Sequence, residues 1–151
     1  MIRQLEKTNS QLIELSKESF SELRVIYSPN KLAKELKGSL KSNWISFGYF
    51  ASDKLVACVD VKLSDGELNF SSLSVNKKHR RQGLARKLIY GVFDKFENVH
   101  TASLWCVKQT GNVQVFESLN FKVAQEVKSE LFNLINGDCA IEVQLKLSMN
   151  V

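Results

Sequence analysis

The chain contains one proline and seven glycines among 151 residues. So few leave no stretch that could act as a flexible or polyproline linker. One domain over residues 1–151 is expected, long enough to bury about two-thirds of its unfolded surface. Cysteine is also scarce. Cys58, Cys106 and Cys139 are odd in number, far apart and set in apolar runs, which predicts buried reduced thiols and excludes a disulfide framework. With only His79 and His100, and no CxxC or HxxxH spacing, no metal site is expected. No apolar run approaches the ~20 residues of a membrane span. The N-terminus, Met1-Ile-Arg-Gln-Leu-Glu-Lys7, has no signal-peptide core, so a soluble protein of the cytoplasm is expected. Acidic residues are outnumbered, 16 against 21 Lys and Arg, for a net charge of +5. That excess suits an anionic ligand but does not choose between nucleotide cofactor, nucleic acid and membrane surface.

Hydrophobic residues make up 44% of the chain and are periodically placed. Ile2 to Leu5 suits a short strand. Spacings of three, four and seven from Leu12 through Ile26 predict one amphipathic helix ending near Tyr27. Ser28-Pro29-Asn30 breaks it and starts a second, with Pro29 in the first turn, Leu32, Ala33, Leu36 and Leu40 inside, and Lys31, Lys34, Lys37 and Lys41 outside. From Trp44 the composition turns aromatic and β-branched. Strands are expected over 44–51, 55–63 and 67–75, joined by turns at Ser52-Asp53-Lys54 and Ser64-Asp65-Gly66. Asp60 is a lone charge in an apolar strand, on an exposed face or at a site. The alternation slips at Ser71-Ser72 as it does at a β-bulge.

A helix follows Gly83, striped by Leu84, Ala85, Leu88, Ile89, Val92, Phe93 and Phe96. Then come a strand over 101–107, a short helix over 111–119, and strand character from 121 to 127 and 131 to 135. After an Asn136-Gly137 turn, a closing strand runs from Cys139 to Leu147. The order strand, helix, strand around Gly83 predicts a right-handed crossover and a parallel pair, and the whole is a mixed α/β (α+β) sheet.

Charge concentrates at one place. Lys77, Lys78, Arg80, Arg81, Arg86 and Lys87 surround Gly83 where a strand passes through a loop into a helix. Free N–H groups at such a helix start, within positive charge, receive phosphate. The single glycine matches neither the dinucleotide fingerprint nor the Walker loop, so NAD and NTP chemistry are not indicated. A diphosphate or a nucleic-acid backbone would both fit.

Arg80-x-x-Gly83-x-Ala85, after Leu73-Ser74-Val75 on a strand and before an apolar-striped helix, resembles the acetyl-CoA motif of the GNAT N-acetyltransferases, Arg/Gln-x-x-Gly-x-Gly/Ala. Phe116-Glu-Ser-Leu-Asn-Phe121 is similar to that family's Tyr-x-x-x-Gly-Phe, and the strand order agrees over essentially the whole chain. The resemblance implies a mostly antiparallel six- to seven-stranded sheet with a central parallel pair that splits, and helices on both faces. It implies acetyl-CoA as cosubstrate and transfer of its acetyl group to a primary amine of a small molecule or protein, by direct attack through a tetrahedral intermediate. Leu73, Ser74 and Val75 would pair with the pantetheine arm, a strand N–H near Ser74 or Val75 serving as oxyanion donor. Arg80, Arg81, Gln82, Gly83, Leu84, Ala85 and Arg86 would hold the pyrophosphate, and Gln109, Asn112 and Phe116 would border the arm. Glu67, with Asn69 beside it, and Asp60 are the candidate general bases. Phe116 stands where the family often has a Tyr acid, and phenylalanine donates no proton. A CoA-binding sensor or subunit without turnover, or a nucleic-acid module using residues 77–87, are the alternatives. The absence of interleaved aromatics counts against nucleic acid. The amine acceptor and the oligomeric state, homodimer included, stay open.

Overall fold

A computed structural model describes residues 1–40 and 43–149, with side chains over 1–36 and 43–149; the side chains of Lys37 and Leu40, and Lys41 altogether, lie outside the described residues. The elements are β1 (Ile2–Leu5), α1 (Ser10–Leu23), β2 (Tyr27–Pro29), α2 (Lys31–Leu40), β3 (Ile45–Ala51), β4 (Lys54–Ser64), β5 (Glu67–Val75), α3 (Leu84–Phe93), β6 (Thr101–Val107), α4 (Asn112–Ser118), β7 (Lys122–Leu134) and β8 (Cys139–Ser148). Eight strands form one sheet in the order β1-β3-β4-β5-β6-β8-β7-β2. Every pairing is antiparallel except β5 with β6.

The two faces of the sheet carry different helices. Leu84, Leu88, Ile89, Val92 and Phe93 of α3, with Phe116 of α4, pack on Val59, Val61, Leu68, Phe70, Leu104 and Leu145 in the larger core. Leu12 and Leu15 of α1 pack on Phe50, Leu55 and Cys58 from the opposite face in a smaller one. Alternation along the strands makes the second face polar wherever α1 does not cover it: Asp60 on β4, Asn69 and Ser71 on β5, and Ser103 and Trp105 on β6 all point that way.

Five expectations change in detail. The sheet has eight strands because Tyr27–Pro29 pairs with Phe132–Leu134 of β7, a three-residue strand too short to show a period. Consequently α1 stops at Leu23, not near Tyr27. Pro29 ends β2 and does not open the next helix; the edge of a sheet tolerates its missing N–H. Asn30 caps α2 instead, its Oδ1 accepting from the Ala33 N–H at 3.0 Å. Residues 122–134 form one strand, interrupted by a bulge after Lys128, where the Ser129 Oγ accepts from the N–H groups of Leu131 and Phe132. Finally, the thiols differ: Cys58 is buried, Cys106 half-buried and Cys139 exposed, because Cys139 opens β8 beside the turn at 135–138.

Candidate active site

The parallel pair opens partway along its length. β5 and β6 pair over Glu67–Phe70 with Thr101–Leu104, while β6 stays on β8 to Val107 and β5 stays on β4 to Val75. Beyond Phe70 the two strands part. The cause is on the other side of β5. Asp60 faces Ser71 and Cys58 faces Ser74, so Ser72 and Leu73 together oppose Val59, and Ser72 adopts φ +57°. This is the bulge expected from the slipped alternation, and a bulge adds local twist that turns the strand away from its neighbour.

Backbone polarity follows. The Asn76 N–H bonds to the Val56 carbonyl at 2.8 Å, so by antiparallel alternation the N–H and C=O of Val75 point away from β4, toward the split. The Val75 carbonyl accordingly accepts from Arg80 Nε at 3.2 Å. Ser74, one residue earlier, turns its N–H toward β4. Of the two oxyanion donors considered, only Val75 faces the opening.

At the end of the split lies a phosphate-shaped cradle. Arg81 (φ +63°) and Gly83 (φ +74°) are both left-handed, and such alternation turns successive N–H groups toward a common point. Gly83 is the N-cap of α3 and brings no side-chain bond. The N–H groups of Leu84, Ala85 and Arg86 therefore have no acceptor within the helix. A Cβ built on Gly83 meets nothing within 4 Å, so the space over the helix start is open. Lys77, Lys78, Arg81 and Lys87 are exposed around it. A diphosphate fits this donor set.

Two of the six cations are turned elsewhere. Arg80 grips Glu22 of α1 with both terminal nitrogens, at 2.7 and 3.1 Å. That fork holds the Glu22 carboxyl below its ordinary range and pushes the Arg80 guanidinium above its own. Arg86 donates to the Ser118 carbonyl at 3.1 Å and lies over the Tyr90 ring. Gln109 Oε1 accepts from the Ile141 N–H at 3.2 Å, a bond between the loop after β6 and β8. Asn112 opens α4, its N–H on the Thr110 hydroxyl at 3.2 Å. Phe116 is buried edge-on to Phe121, ring centres 5.9 Å apart. Asn120 takes φ +77° where the resembled pattern has glycine, a conformation asparagine tolerates.

The two candidate bases occupy different places. Asp60 stands opposite Ser71, the first residue past the parallel pairing. Glu67 lies four residues back, about 13 Å along the strand at ~3.3 Å per residue, and pairs with Lys146 at 3.6 Å. Asp60 also borders a groove of about 740 Å³ between α1 and the sheet, lined by Leu12, Ile13, Lys17, Phe20, Ser46 and Arg24 among others. The Ser46 hydroxyl donates to Asp60 Oδ1 at 2.6 Å. Ser46, Glu22 and the half-exposed Trp105 beside the split carried no pattern that singled them out: Trp105 alternates like a core residue, and Ser46 and Glu22 are ordinary polar positions.

Residues 11–132 match the family described as acetyltransferase (GNAT) domain. The chain belongs to the GNAT acetyltransferase family. Solved structures agree on the GNAT fold. The ribosomal-protein-S18-alanine N-acetyltransferase of Escherichia coli superposes with a TM-score of 0.71 at 18% identity, covering 100% of this chain and 94% of that one. A GNAT family acetyltransferase from Elizabethkingia anophelis with acetyl-CoA bound gives 0.69 at 13% identity, covering 99% and 97%. A variant of the spermidine N-acetyltransferase of Vibrio cholerae gives 0.68 at 19%, covering 98% and 94%. No curated protein matches this sequence. Among the described residues, no helix is long and apolar enough to cross a membrane.

Proposed function

We propose that this GNAT protein binds acetyl-CoA and transfers its acetyl group to a primary amine. The observation that carries the reading is the continuity of the β5–β6 split with the cradle at 81–86, which fits one long ligand ending in a diphosphate. The exposed edge of β5 would pair with the amide-bearing arm as an added strand does, and the N–H groups of the first turn of α3 would hold the diphosphate. Acetyl-CoA supplies the activated acyl carbon; the chain supplies position and proton transfer. The Val75 N–H, aimed into the split, is the donor that would stabilise negative charge on the acyl oxygen. Asp60 is the base that would take a proton from an incoming ammonium, because it stands opposite Ser71, the first residue past the parallel pairing, whereas Glu67 is set back about 13 Å along the strand.

Neither Phe116 nor the two inner thiols is a strong acid for the leaving sulfur. Phe116 has no proton to give. Burial pushes the Cys106 and Cys58 thiols up to about 11, so protonating a thiolate of pKa ~8.5 from either would run uphill. The thiolate therefore leaves unprotonated, which its pKa permits near neutrality. The test pairs calorimetric titration with acetyl-CoA and thiol release over a panel of small amines and peptides. Binding with turnover of at least one amine is expected. Binding without turnover on any amine would convert the protein into a CoA sensor, and salt-sensitive binding of DNA or RNA that acetyl-CoA cannot displace would end the reading.

A further inference from the structure

The carboxylate at the mouth of the groove already holds a primary amine, and the chain itself supplies it. Lys7, in the turn between β1 and α1, places its Nζ 2.7 Å from the Ser46 Oγ and 3.3 Å from Asp60 Oδ1. Asp60 retains only 18% of its side-chain exposure, whereas Lys7 keeps 52%, so the amine is held but its stem is free to swing. Asp60 and Ser71 are register partners on the same face. The ammonium bridges Ser46 on β3 and Asp60 on β4; at about 4.8 Å between strands it rests roughly one and a half strand widths from β5, which the exposed Lys7 stem must swing across to reach the split. Lys17 and Arg24, the other cations of the groove, make no ion pair with Asp60 among the bonds described. Among the described residues, Lys7 is the lysine whose amine is held by the candidate base.

We propose that Lys7 is a self-acetylation site, modified in cis at Nζ by this chain; the proposal rests on the acetyl-CoA reading above. Asp60 takes one proton from the Lys7 ammonium. The freed lone pair attacks the thioester carbonyl carbon, the C–N bond forms, and the C–S bond breaks with its electron pair leaving on the CoA sulfur. Asp60 releases the first proton to water, then takes the second from the nitrogen and passes it to water as well, and Lys7 becomes a neutral amide. Its ion pair with Asp60 is then lost, and the groove keeps two of its three cations.

The experiment uses the full chain, verified by mass to be unacetylated, incubated with acetyl-CoA and followed by peptide mapping at several protein concentrations. Lys7 is expected to acquire acetyl at least about tenfold faster than exposed Lys31 or Lys54, because a held amine reacts intramolecularly. The rate per chain should not depend on protein concentration. Gly83→Glu, which fills the cradle, should bring Lys7 down to the rate of the other lysines. Lys7→Arg, which keeps a cation beside Asp60, should fold normally and lose that one modification. Acetylation of Lys7 no faster than of Lys31, or undiminished in Gly83→Glu, would show chemical acetylation by the thioester and overturn the proposal. A per-chain rate that rises with protein concentration would overturn the cis geometry. In a parallel calorimetric titration, acetyl-CoA binding without Lys7 modification sinks self-acetylation alone, while absence of binding sinks the cofactor reading with it.

Discussion

Asp60, Gly83 and Phe116 are the three residues whose replacement separates the chemistry from the scaffold. Asp60→Asn keeps an acceptor for the Ser46 hydroxyl and removes the proposed base, so kcat should fall about 10²–10⁴-fold with acetyl-CoA affinity unchanged by calorimetry. At Gly83 the backbone is left-handed with open space around it, so Gly83→Ala meets strain but no clash. A loss of about 1 kcal/mol in urea unfolding is expected. Phe116→Tyr returns a phenol to the buried ring position against Phe121. A thiol of pKa ~8.5 needs little help to leave, so kcat should change less than about tenfold, measured between pH 6 and 9; a larger rise would show that the missing acid limits turnover.

Elements are coupled through the Arg80–Glu22 fork, which fastens the end of α1 to the loop that feeds α3. Both partners are substantially exposed, so Glu22→Gln should cost under about 1 kcal/mol of stability. Its larger effect should fall on the KM for acetyl-CoA, because Arg80 also positions the Val75 carbonyl on the edge of the split. The sign of its pH dependence is fixed: Glu22 sits below its ordinary range, so its contribution is present above the unfolded value of 4.5 and lost as pH falls through the lower folded value. The bulge in β5 is a second element-level device. Ser72 at φ +57° admits serine more readily than a β-branched residue, so Ser72→Val should destabilise the fold by about 1–2 kcal/mol and impair acetyl-CoA binding by straightening β5.

For the whole molecule, stability depends on two cores on opposite faces of one sheet. Ile89 of α3 is fully buried, and Ile89→Ala should cost about 2–5 kcal/mol in denaturant unfolding. On the α1 side, burial lifts Cys58 to about 11 from an ordinary 9.0. The folded protein therefore holds that proton when the unfolded chain has released it, so stability is full below pH 9 and falls from 9 toward 11. Two pKa units correspond to about 2–3 kcal/mol, and Cys58→Ala should flatten that decline in melting temperature against pH.

What the sequence determined by itself is local. The order of strands and helices, the bulge at Ser71-Ser72 and the cradle around Gly83 follow from period, turn chemistry and a run of charge within a dozen residues. Even the departures obey this rule: a three-residue strand at Tyr27 and a bulge inside β7 are too short for a period to mark. Only the tertiary structure decided the partners. Arg80 finds Glu22 fifty-eight residues away, Gln109 meets the Ile141 N–H, and Lys7 meets Ser46 and Asp60 across three elements. Backbone geometry imposes its period on adjacent residues, whereas an ion pair between elements depends on how their faces pack, and no spacing along the chain encodes that.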